Sequence, residues 1–149
     1  SEVTQNLKDQ GKRVVLVSGV FDVIHPGHIE FLSEARKIGD MLAVTVPTDE
    51  QTQTHKGADR PIVSLADRLR TLSSLEFVSF VFPQNSWYTM DVLSLLRPTA
   101  YVYIASPEND HMISRIQPAK NLGIELHGIS MDTSRFSSTK LITLIEKLK

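Results

Sequence analysis

Two kinds of apolar pattern alternate along this chain. Short continuous runs, of the length expected for strands buried on both faces, are separated by stretches whose apolar positions recur at helical spacing. Arg13 to Val17 is the first run. Gly27 to Ile38 follows as a helix, with Ile29, Leu32, Ala35 and Arg36 at helical spacing and Gly39 beyond its end. Met41 to Val46 is a second strand, closed by Pro47. Thr48 to Pro61 is polar and lacks an apolar period, so it reads as a loop. Ser64 caps a helix running to Leu75, and Phe77 to Phe82 is a third strand. Trp87 to Leu96 reads as a helix that Trp87 and Tyr88 open and pack, and Arg97-Pro98 ends it. Ala100 to Ala105 and Ile124 to Ile129 are the last two strands, flanking a helix from Glu108 to Leu122 that contains Pro118. Ser138 to Leu148 is a final helix, with Leu141, Ile142, Ile145 and Leu148 on one face.

Strand–helix alternation predicts a parallel sheet with helices on both faces, and right-handed crossovers leave few topologies open. The expectation is a single α/β domain over residues 1–149. Its sheet is Rossmann-like and doubly wound, with five strands in the order 3-2-1-4-5. Ligands of such sheets bind at the carboxyl ends of the strands, near the switch point. The first strand is the natural switch-point strand.

Composition narrows the class. The chain is 41% hydrophobic and 22% charged with a net charge of −1, which suits an ordered globular domain and gives no reason to expect nucleic acid as a partner. There is no cysteine, so disulfides and thiolate metal sites are excluded. No leader-like segment or membrane-length apolar run is evident, and the expected location is cytoplasmic with no membrane partner.

The chemistry concentrates where the first strand hands over to a helix. Gly19, Phe21, Asp22, His25, Gly27 and His28 are the fixed positions of a G-x-F-D-x-x-H-x-G-H run. Backbone N–H groups left free at a helix start, together with the helix dipole, favour phosphate there. Two imidazoles added to that site can stabilise charge on a phosphoryl group in transfer. Gly27 allows phosphate to approach the backbone closely. The bland alternative is an ordinary turn bearing two surface histidines. A second segment, Lys56 to Arg68, places a lysine in the polar stretch after the second strand, where it can close over phosphates. For Lys56 the alternative is a solvated charge, and for Arg60 and Arg68 a surface ion pair. A third, Ser137-Ser138-Thr139, begins the last helix. Its hydroxyls and N–H groups can hold phosphates, or simply cap the helix.

The first run resembles the H-x-G-H signature of the nucleotidylyltransferase superfamily, and Phe21-Asp22 narrows the likeness to its small cytidylyltransferase-like group. Lys56 to Arg68 resembles the K-G-x-x-R-P-[VI]-x-x-L-x-x-R run of the adenylyltransferase domain that makes ADP-heptose. Ser137 to Ile142 resembles that family's S-T-[TS]-x-[LI]-I. The likeness extends from about Leu7 to the end. It implies that His25, His28 and Lys56 act on the triphosphate, and that Gly19, Val20, Phe21, Asp22, Gly27, Arg68 and Ser137 to Thr139 bind the nucleotide. It implies transfer of NMP from ATP or CTP to a small phosphorylated acceptor, with Mg²⁺ carried by the triphosphate and the enzyme a homodimer.

Two segments depart from the family. Tyr103-Ile104-Ala105-Ser106 replaces a K-G-x-D, and Arg135 replaces a glycine. Relatives use both segments for base, ribose or acceptor, so Ser106 and Arg135 are candidate substrate contacts. The same changes motivate a second reading, a nucleotide-binding module without turnover. His55 adjoins Lys56, while His111 and His127 lack a matched partner and read as structural or exposed.

Overall fold

The computed structural model describes residues 2–105, 110–132 and 137–148. Five strands form one parallel sheet in the order β3-β2-β1-β4-β5. They are β1 (Val14–Ser18), β2 (Met41–Pro47), β3 (Phe80–Gln84), β4 (Ala100–Ala105) and β5 (Glu125–Ser130). Register is continuous across the centre, with Leu16 opposite both Ala43 and Tyr101. The helices are α1 (Glu2–Asp9), α2 (Pro26–Arg36), α3 (Asp49–Lys56), α4 (Leu65–Ser73), α5 (Met90–Leu96), α6 (Asp110–Asn121) and α7 (Ser138–Glu146).

The alternation of side chains along β1 sorts the core into two layers. Val15 and Val17 face Phe31, Leu32 and Ala35 of α2 and Leu72 of α4. Val14 and Leu16 face Val92, Leu93 and Leu96 of α5 and Ala119 of α6, with Leu7 of α1 at the margin. Leu16, Leu32 and Leu93 are fully buried, each contributing about 1.5–3 kcal/mol by area transfer. The α2–α4 side and the α5–α6 side are thus separate faces of one sheet.

Several sequence expectations need correction. Residues 49–56 form a helix rather than a loop. Thr48 caps it through its hydroxyl, which accepts from the Gln51 N–H. Asp49 and Glu50 in its first turn and Lys56 in its last suit the helix dipole. It has almost no apolar face, with Thr52 its one buried residue, so periodicity had nothing to detect. The third strand begins at Phe80 rather than Phe77. Val78 still belongs to the turn after α4, where its N–H bonds to the Leu75 carbonyl. Pro83 is tolerated because β3 is an edge strand. Helix α5 starts only at Met90, leaving Trp87 and Tyr88 in the preceding loop, with Tyr88 exposed. The polar N-terminal segment, which carried no prediction, is α1. The final helix has its expected apolar residues, yet none is buried.

Candidate active site

A cavity of about 350 Å³ opens at the carboxyl end of the sheet. Its floor is the end of β1 and the segment that follows, Ser18 to Asp22. Phe21 has a left-handed backbone (φ 49°) that turns this segment sharply while its ring stays buried. Gly19 lies against that ring: a Cβ there would come within 2.8 Å of Phe21 Cε2.

His25 ends the turn and is the N-cap of α2, with extended backbone and Pro26 at the first helical position. His28 lies one turn on. The two imidazoles stack with centroids 3.7 Å apart and planes 19° from parallel, and the edge of Phe21 meets His28 at 5.2 Å. Burial lowers the pKa of both. His28 is lowered to about 4, with the nearby His25 adding to the effect. Both rings are therefore neutral near pH 7, which allows them to stack without like-charge repulsion. His28 Nδ1 is buried with no hydrogen-bond partner among the described residues, a costly state.

Asp22 does not face the cavity as an open carboxylate. Its Oδ1 accepts from the N–H groups of Ile62 and Val63, and its Oδ2 from Arg60 Nε at 2.6 Å. It thereby ties the β1–α2 segment to the stretch that carries Lys56. Lys56, the last residue of α3, lines the cavity. Beside it, His55 stacks on Trp87 with centroids 4.2 Å apart and planes 3° from parallel, and its Nδ1 lies 2.9 Å from the Gln51 carbonyl.

The start of α7 completes the wall with Ser137, Ser138 and Thr139. Ser137 is the N-cap, accepting from Lys140 N–H, and the Ser138 hydroxyl donates to the Val23 carbonyl at 3.0 Å. These two hydroxyls fix the helix start beside α2. At the start of α2, Pro26 has no N–H and the His28 N–H bonds the His25 carbonyl, and at the start of α7 the Lys140 N–H is taken by Ser137, so the anion donors are the N–H groups of Gly27, Ser138 and Thr139.

The cavity thus brings together Gly19, Val20, Phe21, Asp22, His25, Gly27, His28, Lys56 and Ser137 to Thr139. Arg68 is the exception. It is 1% exposed and lies away from the cavity lining, one helical turn from the buried Leu72. Its guanidinium donates to the carbonyls of Val20 and Pro47 and to Asp49 Oδ1. It braces the strand ends from beneath, because the inward face of α4 carries it under the β1 and β2 termini. Ser106 and Arg135 lie outside the described residues, as does the side chain of His111. His127 sits at the surface, 3.3 Å from Glu125. Among the described residues no group of three or more His, Asp or Glu side chains can hold a metal, and no helix is long and apolar enough to cross a membrane.

Among the lining residues that sequence reasoning did not single out are Arg115 of α6, Trp87 and Asp132. Arg115 Nη2 reaches the Ser18 carbonyl at 3.4 Å, across the β1–β4 crevice. No motif marks it, and only the topology brings it there.

A parallel sheet of this order, with paired histidines at the helix start beyond β1, makes the protein a Rossmann-like α/β domain with its cavity at the switch point. Residues 16–143 match the family model described as cytidylyltransferase-like, and the chain belongs to that family. It is 32% identical over 138 residues to the bifunctional protein HldE of Desulfatibacillum aliphaticivorans, covering 93% of this chain and 28% of that one. The HldE of Hydrogenovibrio crunogenus is 33% identical over 145 residues, covering 97% and 30%. The chain therefore spans less than a third of these relatives. Among solved structures, a lipopolysaccharide core biosynthesis protein from Thermoplasma volcanium matches with a TM-score of 0.67 and 26% identity, covering 82% of this chain and all of that one.

Proposed function

We propose that the protein transfers NMP from ATP or CTP to a small phosphorylated acceptor, a sugar phosphate or phosphorylated alcohol, releasing pyrophosphate. The observation that carries this reading is the stacked pair His25–His28 in the same cavity as Lys56 and the start of α7. An ionised acceptor oxygen forms a bond to the α-phosphorus as the bond from that phosphorus to the bridging oxygen breaks. Pyrophosphate leaves with the electron pair. No covalent intermediate and no general base are needed, because the nucleophile is already an anion. The protein's task is positioning and charge neutralisation. His25 and His28 hydrogen-bond the triphosphate, Gly27 lets it approach the helix start, and Lys56 offsets charge growing on the leaving group. Mg²⁺ arrives on the triphosphate. The likeness of the Lys56 run to HldE favours ATP, and the tyrosine at 103 argues for an acceptor different from that family's. A homodimer and a cytoplasmic location complete the reading.

The test is direct. The protein is incubated with ATP or CTP, Mg²⁺ and a panel including glycerol 3-phosphate and heptose 1-phosphate, and pyrophosphate is followed. Release that disappears in His28→Ala supports the enzyme. Tight nucleotide binding with no release for any acceptor points instead to a nucleotide-binding module, the reading that the changed residues at the end of β4 favour.

A further inference from the structure

The cavity is built from both faces of the sheet, and the two sides offer different chemistry. On one side are the starts of α2 and α7, joined by Ser138 and Val23, with the N–H groups of Gly27, Ser138 and Thr139. On the other is Arg115 from α6, whose neighbours Ile116 and Ala119 pack in the α5–α6 layer. Trp87, in the loop before α5, lines the same cavity.

Among the described residues, Lys56 and Arg115 are the lining Lys or Arg side chains with no carboxylate partner, since Arg60 is spent on Asp22. Arg115 is held rather than loose. Its guanidinium meets the Ser18 carbonyl and the hydroxyl of Tyr101, which Thr89 and Ser18 also engage. Tyr101 is 1% exposed, and burial raises its pKa, so it stays a neutral phenol and supplies no charge against the arginine. These contacts leave donors of the five-donor fork unspent. An anchored guanidinium with spare donors and no ion pair among the described residues suits a bidentate phosphate; Asp132 is a carboxylate on the same cavity wall.

Phosphoryl transfer by displacement puts the attacking and leaving oxygens roughly in line through phosphorus. If pyrophosphate leaves toward the starts of α2 and α7, as the function proposed above requires, the nucleophile enters from the opposite side. We propose that Arg115 is the receptor for the acceptor's phosphate and Trp87 the wall of that subsite, so that the acceptor is a small phosphomonoester entering from the α5–α6 side. Trp87 is suited to this because its stack on His55 fixes the indole. This inference rests on the triphosphate lying at the helix starts.

The test separates the two sites by calorimetry. The protein is first saturated with an α,β-methylene analogue of ATP or CTP, which occupies the triphosphate site and cannot be cleaved there. Inorganic phosphate, then glycerol 3-phosphate, is titrated into that complex. The wild type should bind phosphate on top of the analogue. Arg115→Met should weaken phosphate at least tenfold, with Arg115→Lys intermediate, while analogue affinity changes less than twofold in both. Arg115→Lys keeps the charge and carries the comparison if Arg115→Met does not fold. The proposal is overturned if the analogue-bound wild type takes up no phosphate. It is equally overturned if the variants bind phosphate as the wild type does, or lose phosphate and analogue affinity by the same factor. Failure of both analogues to bind the wild type would instead remove the triphosphate reading itself.

Discussion

Replacing His28 with glutamine should remove a distinct component of the pH dependence of stability. In the folded chain, burial and secondarily His25 lower this imidazole to about 4 from an ordinary 6.5. Between those values the unfolded chain binds a proton that the folded chain refuses. Stability therefore falls as the pH drops through that window, and the loss levels off below the folded pKa, where both states are protonated. A shift of this size corresponds to roughly 3 kcal/mol at the acid end. Carboxylates titrate in the lower part of the same window, so the informative quantity is the difference between wild type and His28→Gln. Urea unfolding at steps from about pH 7 to pH 4 supplies both curves. Near neutrality the difference should be constant. Toward pH 4 it should move in the variant's favour by about 2–3 kcal/mol. Parallel curves would refute the premise that folding holds His28 neutral. Movement toward the wild type would mean that His28 gains an anionic partner on folding.

Three other perturbations separate structural from chemical roles. Arg68→Met should cost about 3–5 kcal/mol in chemical denaturation, because it leaves two strand-end carbonyls without their donor; a loss under ~1 kcal/mol would return Arg68 to the surface-ion-pair reading. Gly19→Ala should destabilise by about 1–3 kcal/mol as the new methyl displaces Phe21, and it should weaken nucleotide binding because that ring abuts His28; wild-type values for both would contradict the tight packing. Lys56→Ala should slow turnover by roughly 10²-fold while changing nucleotide affinity only a few-fold; equal losses in the two would show that the lysine serves ground-state binding.

The central strands were legible because β1, β2 and β4 are buried on both faces and so read as unbroken apolar runs. The His25 turn was legible because its spacing marks a helix start, with His25 the cap and Pro26 the first helical residue. Failures came where local pattern carries no information. Residues 49–56 are helical through a threonine cap and dipole-matched charges, with nothing apolar to reveal a period. Arg68 looks in sequence like any helix-surface cation, and only the crossing of α4 beneath the strand ends makes it a buried brace. Arg115 is harder still. It is distant in sequence from every motif and enters the cavity because strand order 3-2-1-4-5 sets α6 beside the end of β1.

The helical state of residues 49–56 also changes how Lys56 works. A lysine on a mobile loop must be recruited when the triphosphate binds, at the cost of ordering the loop. Here it is the last residue of a capped helix and already lines the cavity. Two devices hold it there. The His55–Trp87 stack pins the helix end from outside, and Gly57 ends the helix with φ 108°, a conformation that a side chain resists. Asp22 fixes the far end of the same stretch through Arg60, Ile62 and Val63. The polar segment after β2 is thus anchored at both ends, and the Arg60 N–H bonds the Gly57 carbonyl across the turn between them. Preorganised charge of this kind needs little rearrangement at the moment of reaction, so under the proposed direct transfer Lys56 would act without a loop-ordering cost.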